Sequence, residues 1–337
     1  MDQDPSVPPE RIGACLRKGR RLLLEILPLG ACGYPPCPPS CGRDLFFCFL
    51  RMVLSIEFRI PMPLTCEEYR IGNLYTTAKT SKMESEKSGG AGVEVLENEP
   101  CNHPKYGAGQ YTHKRYYISN KLPGWMRAIC PKDKAVLEEE CYNCFPYVRT
   151  ELTIAIFKKF KMTVETTHMD GNEHVDNALG LNKKALKRRK IEIIDIVEGK
   201  LPKDSAAKYG NDDPTTFRCG KANRGPLKKG WHRSQKPMMI AYKLVTADFD
   251  YFALKGKVEA FMLDYERQLF LSTHRQMYCW MDEWYGLSLM QVRQIENRDF
   301  DTAVRTSRRT MDLDADPDAE NREKNTHTTH TSGGKGG

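Results

Sequence analysis

Residues 254–284 read LKGKVEAFMLDYERQLFLSTHRQMYCWMDEW. Val258, Phe261, Met262, Tyr265, Leu269, Met277, Trp280, Met281 and Trp284 recur at spacings of three and four, which makes one broad apolar stripe on a helix. About 31 residues at roughly 1.5 Å each would reach roughly 45 Å, enough to cross a sheet. The stripe is aromatic and methionine-rich, and no heptad continues beyond it, so a coiled coil is set aside. The stripe alone leaves two arrangements open: a helix packed flat on a sheet, or one closing a sheet curved enough to hold a ligand.

The strands that such a helix needs lie upstream. Period-two or continuous apolar runs begin at Val53 (VLSIEFRI), Gly92 (GVEVLEN), Gly109 (GQYTHKRYYIS), Pro146 (PYVRTELTIAIF), Lys161 (KMTVETT), Lys190 (KIEIIDIV) and Met238 (MMIAYKLVTADFDYF). A capping box, Thr65-Cys-Glu-Glu68, opens a helix carrying Tyr69, Leu74 and Tyr75, and a second, Ser288-Leu-Met-Gln291, opens the last helix. One antiparallel-leaning sheet with a few helices is an α+β architecture. Residues 1–51, proline- and cysteine-rich with the run PPCPPSC, read as a low-complexity extension expected to be disordered. Residues 52–303 read as the globular domain, and 304–337 as a polar tail, also expected to be disordered.

Composition narrows the function classes. No run of eighteen apolar residues exists, so no membrane-spanning helix is expected. The twelve cysteines have no framework spacing, which points to a reducing, cytoplasmic compartment. Cys141 and Cys144 form a CxxC without a second Cys/His pair, so no metal is expected. The net charge of +8 suits an anionic surface, and its densest run is Lys183, Lys184, Lys187, Arg188, Arg189 and Lys190. That run reads as a solvated face, a contact for acidic lipid headgroups, or a contact for nucleic acid. No nucleic-acid motif accompanies it. Residues 200–235 read as an irregular loop, long enough to be functional or regulatory.

Strand parity then places polar groups on faces that ought to be apolar. Thr150 shares a face with Val148, Leu152, Ile154 and Ile156; Thr112 and Lys114 share one with Tyr116 and Ile118; Lys243 shares one with Ala241, Val245 and Ala247. An inward lysine needs an anionic partner or a route to water. Glu296 falls in the apolar stripe of the last helix, with Leu289, Val292 and Phe300, and Glu139 and Asn143, four apart, could share one helical turn. Such an interior suits an amphiphile with a phosphate and a polyhydroxyl head. It suits catalysis less, because no phosphate loop, nucleophile elbow or paired His/acid is present, and His274 reads as a packed core histidine.

The segments QYTHK (from Gln110), KLPGWMRAICPK (from Lys121), YNCFPYVRT (from Tyr142), NRGPL (from Asn223), AYKLVT (from Ala241) and HRQMYCWMDEW (from His274) resemble the phosphatidylinositol transfer proteins, in order from Met52 to about residue 303. KLPGWMRAICPK and CWMDEWYGLSL look closer to the retinal-degeneration-B class, cytoplasmic type, than to the short class. The resemblance implies a START-like, helix-grip fold: a curved, mostly antiparallel sheet and long helices enclosing one phospholipid, with a C-terminal lid helix. It implies exchange of phosphatidylinositol between membranes for a second phospholipid, phosphatidic acid or phosphatidylcholine, by a monomer that meets membranes transiently. It implies no enzyme activity and no cofactor beyond the lipid cargo, and no nucleic-acid partner is expected. A lipid-sensing adaptor without net transfer is the alternative. Carried over by motif, Thr112, Lys114, Asn143 and Glu296 would hold the inositol, and Glu139, Thr150 and Lys243 would complete the headgroup and phosphate site. The short class has a membrane-inserting tryptophan pair where Tyr251 and Phe252 stand, a cysteine where Val148 stands and a regulatory serine where Cys219 stands.

Overall fold

The computed structural model describes residues 54–87, 93–119, 122–128, 130–131, 134–202, 212–249 and 255–298. The expected extension at 1–51, the tail at 304–337, and Tyr251 and Phe252 lie outside these. The described elements, in chain order, are β1 (Leu54–Met62), α1 (Cys66–Lys87), β2 (Val93–His103), β3 (Gly107–Tyr117), α2 (Gly124–Arg127), β4 (Val136–Cys144), β5 (Tyr147–Ile154), β6 (Phe160–Asp170), α3 (Lys183–Arg188), β7 (Lys190–Ile193), β8 (Met239–Phe249), α4 (Lys255–Cys279) and α5 (Met281–Trp284). A last helix, α6, runs over residues 289–298. The strands form one sheet in the order β2-β3-β4-β5-β6-β8-β1-β7. All neighbours are antiparallel except β1 and β7. The fold is therefore α+β.

Strand β4 is absent from the expectation, and the reason is local. Its sequence VLEEECYNC carries three adjacent glutamates, which read as helix or loop. In the sheet they alternate instead. Glu138 turns outward to accept from Arg115 Nε at 2.8 Å and meets His113 Nε2 at 2.8 Å, while Glu139 turns inward. Glu139 and Asn143 therefore do not share a helical turn. They lie on the same face of a strand, two pleats apart.

The long helix is also shorter than its stripe. It ends at Cys279, because Trp280 leaves the helical region (φ −97°, ψ 13°), and Met281–Trp284 forms a separate turn. The Trp280 indole donates to Asp212 at 3.2 Å and carries the Lys79 ammonium 4.0 Å above its ring. Glu259, Glu266, Ser272, His274 and Gln276 are buried alongside the apolar stripe, so α4 is covered on more than one side. Part of that cover is the stretch after β7, where Ile196 and Gly199 carbonyls accept from Arg275 at 2.6 and 2.7 Å. His274 is a core residue: its Nδ1 meets the Phe270 carbonyl at 2.6 Å, its Nε2 meets the Tyr69 hydroxyl at 3.0 Å, and burial holds it down to about 3, hence neutral.

Both capping boxes form. The Thr65 amide donates to Glu68 at 2.8 Å and the Glu68 amide to Thr65 Oγ1 at 3.1 Å; Ser288 and Gln291 exchange the equivalent bonds at 2.8 and 3.3 Å. Helix α1 then packs on α4 and α5 through Gly72, where a Cβ would stand 2.9 Å from the Trp284 ring and 3.1 Å from Met277. Trp284 cannot give way, since it is fully buried and its indole donates to the Met277 carbonyl at 2.8 Å. Gly72→Ala gains about 1 kcal/mol of helix propensity and loses about 1–3 kcal/mol to overpacking, so a net loss of about 1 kcal/mol is expected in urea unfolding. A variant more stable than the wild type would show that the helices can part.

Candidate functional site

Strand register assembles the polar residues into three neighbouring rows across the sheet. One row runs Lys114, Glu139, Leu152; the next Thr112, Cys141, Thr150, Val164; the third Gln110, Asn143, Val148, Thr166, Lys243. Residues opposite one another in register share a face. The outward partners form their own layer, with Arg149 on Glu151 and Glu165 and Lys161 on Glu151. Parity thus separates an ion-paired outer face from a sparsely paired inner one.

The inner face borders a cavity of about 240 Å³ closed by α1, α4 and α6. Thr112, Lys114, Glu139, Asn143, Thr150, Lys243 and Glu296 all line it. A second cavity of about 290 Å³ adjoins it, sharing Asn73, Gln110, Asn143, Val148 and Arg293, and adding Arg70, Phe145 and His168. Each is headgroup-sized, at or just below the low end of ligand pockets.

Several of the lining groups are already engaged. The Tyr116 hydroxyl donates to Glu139 at 3.3 Å, Thr150 Oγ1 donates to Cys141 Sγ at 3.5 Å, and Arg293 donates to Glu296 at 2.5 Å. Cys141 and Cys144 lie three apart on a strand and face opposite sides of the sheet, so they do not converge on one ion. Burial, with Glu139 nearby, pushes the Cys141 thiol up to about 11, and it is neutral at physiological pH.

Lys243 is the cation at the back of the cavity. Burial presses its ammonium down to about 8, against the opposing pull of Glu266 and Cys141, and its nitrogen lies 5.2 Å from the Phe270 ring centroid. Glu266, on α4, faces it. That carboxyl is 5 % exposed, and burial, with Glu139 adding repulsion, raises it to about 7 although Lys243 pulls the other way. No hydrogen bond ties either side chain to another described residue. The cavity therefore holds a desolvated lysine facing a carboxyl that is about half protonated near neutrality.

Glu266, Thr166, Asn73 and Arg293 were not among the residues named from sequence. Glu266 could have been: Met262, Leu269 and Phe270 lie four before, three after and four after it, so it is a carboxylate within an apolar stripe, like Glu296. Thr166 shares parity with Val164.

A family model described as phosphatidylinositol transfer protein matches residues 53–300. The chain is 47 % identical to Phosphatidylinositol transfer protein 1 of Dictyostelium discoideum, over 72 % of this chain and 92 % of that one. It is 42 % identical to Cytoplasmic phosphatidylinositol transfer protein 1 of Drosophila melanogaster, over 73 % of this chain and 89 % of that one. It is 38 % identical to Protein retinal degeneration B of the same fly, over 73 % of this chain and 20 % of that one.

Proposed function

The chain belongs to the phosphatidylinositol transfer protein family, and from that premise we propose that it binds one phosphatidylinositol in the β3–β8 cavity and exchanges it between membranes for a second phospholipid, phosphatidic acid before phosphatidylcholine. The observation that carries this reading is the convergence of seven polar side chains, from four strands and the last helix, on one cavity whose buried lysine faces Glu266 and has no hydrogen bond to another described residue.

Lys243 pairs with the lipid phosphate, flanked by Thr150 and Thr166, and Lys114, Glu139 and Asn143 address the inositol hydroxyls. Glu296, held by Arg293, closes the headgroup from α6. The acyl chains need more room than either cavity offers, so loading requires α6 to swing away. The turn at Gly286 (φ +86°) is its hinge, and Tyr251 and Phe252 contact the bilayer. Pulling a phospholipid into water exposes about 30 methylenes at roughly 0.8 kcal/mol each, on the order of 25 kcal/mol, and a protein that takes the chains as they leave removes most of that barrier.

Two measurements test the reading. Mass spectrometry of the protein as purified is expected to find one phosphatidylinositol or phosphatidic acid per chain; an empty protein would contradict it. In vesicle-to-vesicle assays, Lys114→Ala is expected to lower phosphatidylinositol transfer about tenfold and phosphatidylcholine transfer much less, the size of one charge-assisted hydrogen bond. Equal losses would make Lys114 a structural residue. Tight lipid retention without any transfer would mark a sensor instead.

A further inference from the structure

The basic run before β7 takes no part in the cavity, and its folded form is specific. Arg189 turns inward, 2.7 Å from Glu57, which is fully buried and also accepts from Arg59 at 2.7 Å; both arginines hold the Asp176 carbonyl. This buried cluster fixes the segment to β1. Around that anchor Lys183, Lys184, Lys187, Arg188 and Lys190 are all exposed. Among the described residues β7 pairs only with β1, as the last strand of the sheet. Glu192, the acid of this strand, faces α4 and accepts from Arg267 at 2.9 Å. By alternation its neighbours Ile191 and Ile193 face the other way, and they are 47 % and 56 % exposed.

We propose that the α3–β7 face, the exposed lysines of α3 (Lys183, Lys184 and Lys187) beside two exposed isoleucines, is a docking surface for an anionic lipid bilayer, distinct from the lipid cavity. The proposal rests on the reading that this protein works at membranes. A nucleic-acid backbone satisfies the cations and leaves both isoleucines in water. A bilayer offers phosphates and, about 5–10 Å deeper, an apolar phase, so that the isoleucines enter it while the lysine stems run along the boundary with their ammonium groups among the headgroups. Glu192 turns to α4, Glu57 is buried beneath Arg59 and Arg189, and the exposed Asp176 is paired with Arg189, so the exposed lysines of α3 outnumber the exposed acids around them.

The test is co-sedimentation of the full chain with phosphatidylcholine vesicles, with and without phosphatidylserine, at low and high salt. Binding is expected only where phosphatidylserine is present, and it should weaken with salt. The double variant Lys183→Ser/Lys184→Ser is expected to bind about 25-fold more weakly, about fivefold per lysine. Ile191→Ser/Ile193→Ser is expected to lose about tenfold at both salt concentrations. Urea midpoints should match the wild type, because these side chains are on the surface. Unchanged vesicle binding in either double variant, or equal binding to neutral vesicles, overturns the proposal. So does capture of a polyglutamate peptide that vanishes in the lysine variant while vesicle binding persists, since the face would then serve an acidic protein. Lipid copurifying in the cavity should be the same in all variants. Its absence from the wild type would count against the exchange reading, whatever the vesicles show.

Discussion

Lys243→Met should all but abolish the capture of phosphate-bearing lipids and at the same time make the lipid-free protein harder to unfold. In the proposed loaded state the ammonium pairs with the lipid phosphate, and truncating one partner of a buried charge pair costs about 2–5 kcal/mol, or roughly 30- to several-thousandfold in affinity. In the empty protein the same ammonium is a liability. Its ionisation is depressed from 10.5 to about 8 by burial. A depressed base binds fewer protons folded than unfolded between those values, so stability rises with pH across that window, and below it the full penalty applies. At pH 7 that amounts to about 3 kcal/mol, at about 1.4 kcal/mol per unit. Methionine keeps the stem and removes the charge, and Glu266 then keeps its proton more firmly. Native mass spectrometry for the lipid and urea unfolding at pH 7 of both proteins stripped of lipid give the two readouts. A variant that still carries stoichiometric lipid, or that unfolds more readily, would show that Lys243 is structural.

The same opposition explains which parts of the molecule could be read in advance. Strands with one buried face impose a period of two, so Thr150, Thr112, Lys114 and Lys243 could be placed inward from neighbours such as Val148, Tyr116 and Val245 alone. Capping boxes are local, and Thr65/Glu68 and Ser288/Gln291 form as their spacing requires. Strand β4 failed because its charges alternate between two functions, Glu138 in the outer ion pairs and Glu139 in the cavity, and a run of glutamates hides that alternation. The break at Trp280 was invisible because it depends on contacts with Asp212 and Lys79, both distant in sequence. The row from Gln110 through Asn143 and Thr166 to Lys243 exists only once five strands are in register, and no single segment encodes it.

Glu266→Gln should flatten the acid side of the stability profile. A carboxyl raised from 4.5 to about 7 keeps in the folded state a proton that the unfolded chain has already released. Between those values the folded state binds more protons, so stability falls as pH rises, by about 1.4 kcal/mol per unit, and the loss is complete above pH 7. Glutamine has nothing to release. Urea unfolding of the wild type should therefore lose about 1 kcal/mol or more between pH 5.5 and 6.5 relative to the variant. Above pH 7 the difference contributed by this carboxyl levels off, because it is then ionised in both states of the wild type. Parallel profiles for the two proteins would mean that Glu266 ionises freely and reaches water. If the slopes differ as expected, the Glu266 carboxyl is largely protonated below pH 7, and the charge on Lys243 is left for the phosphate of the proposed lipid.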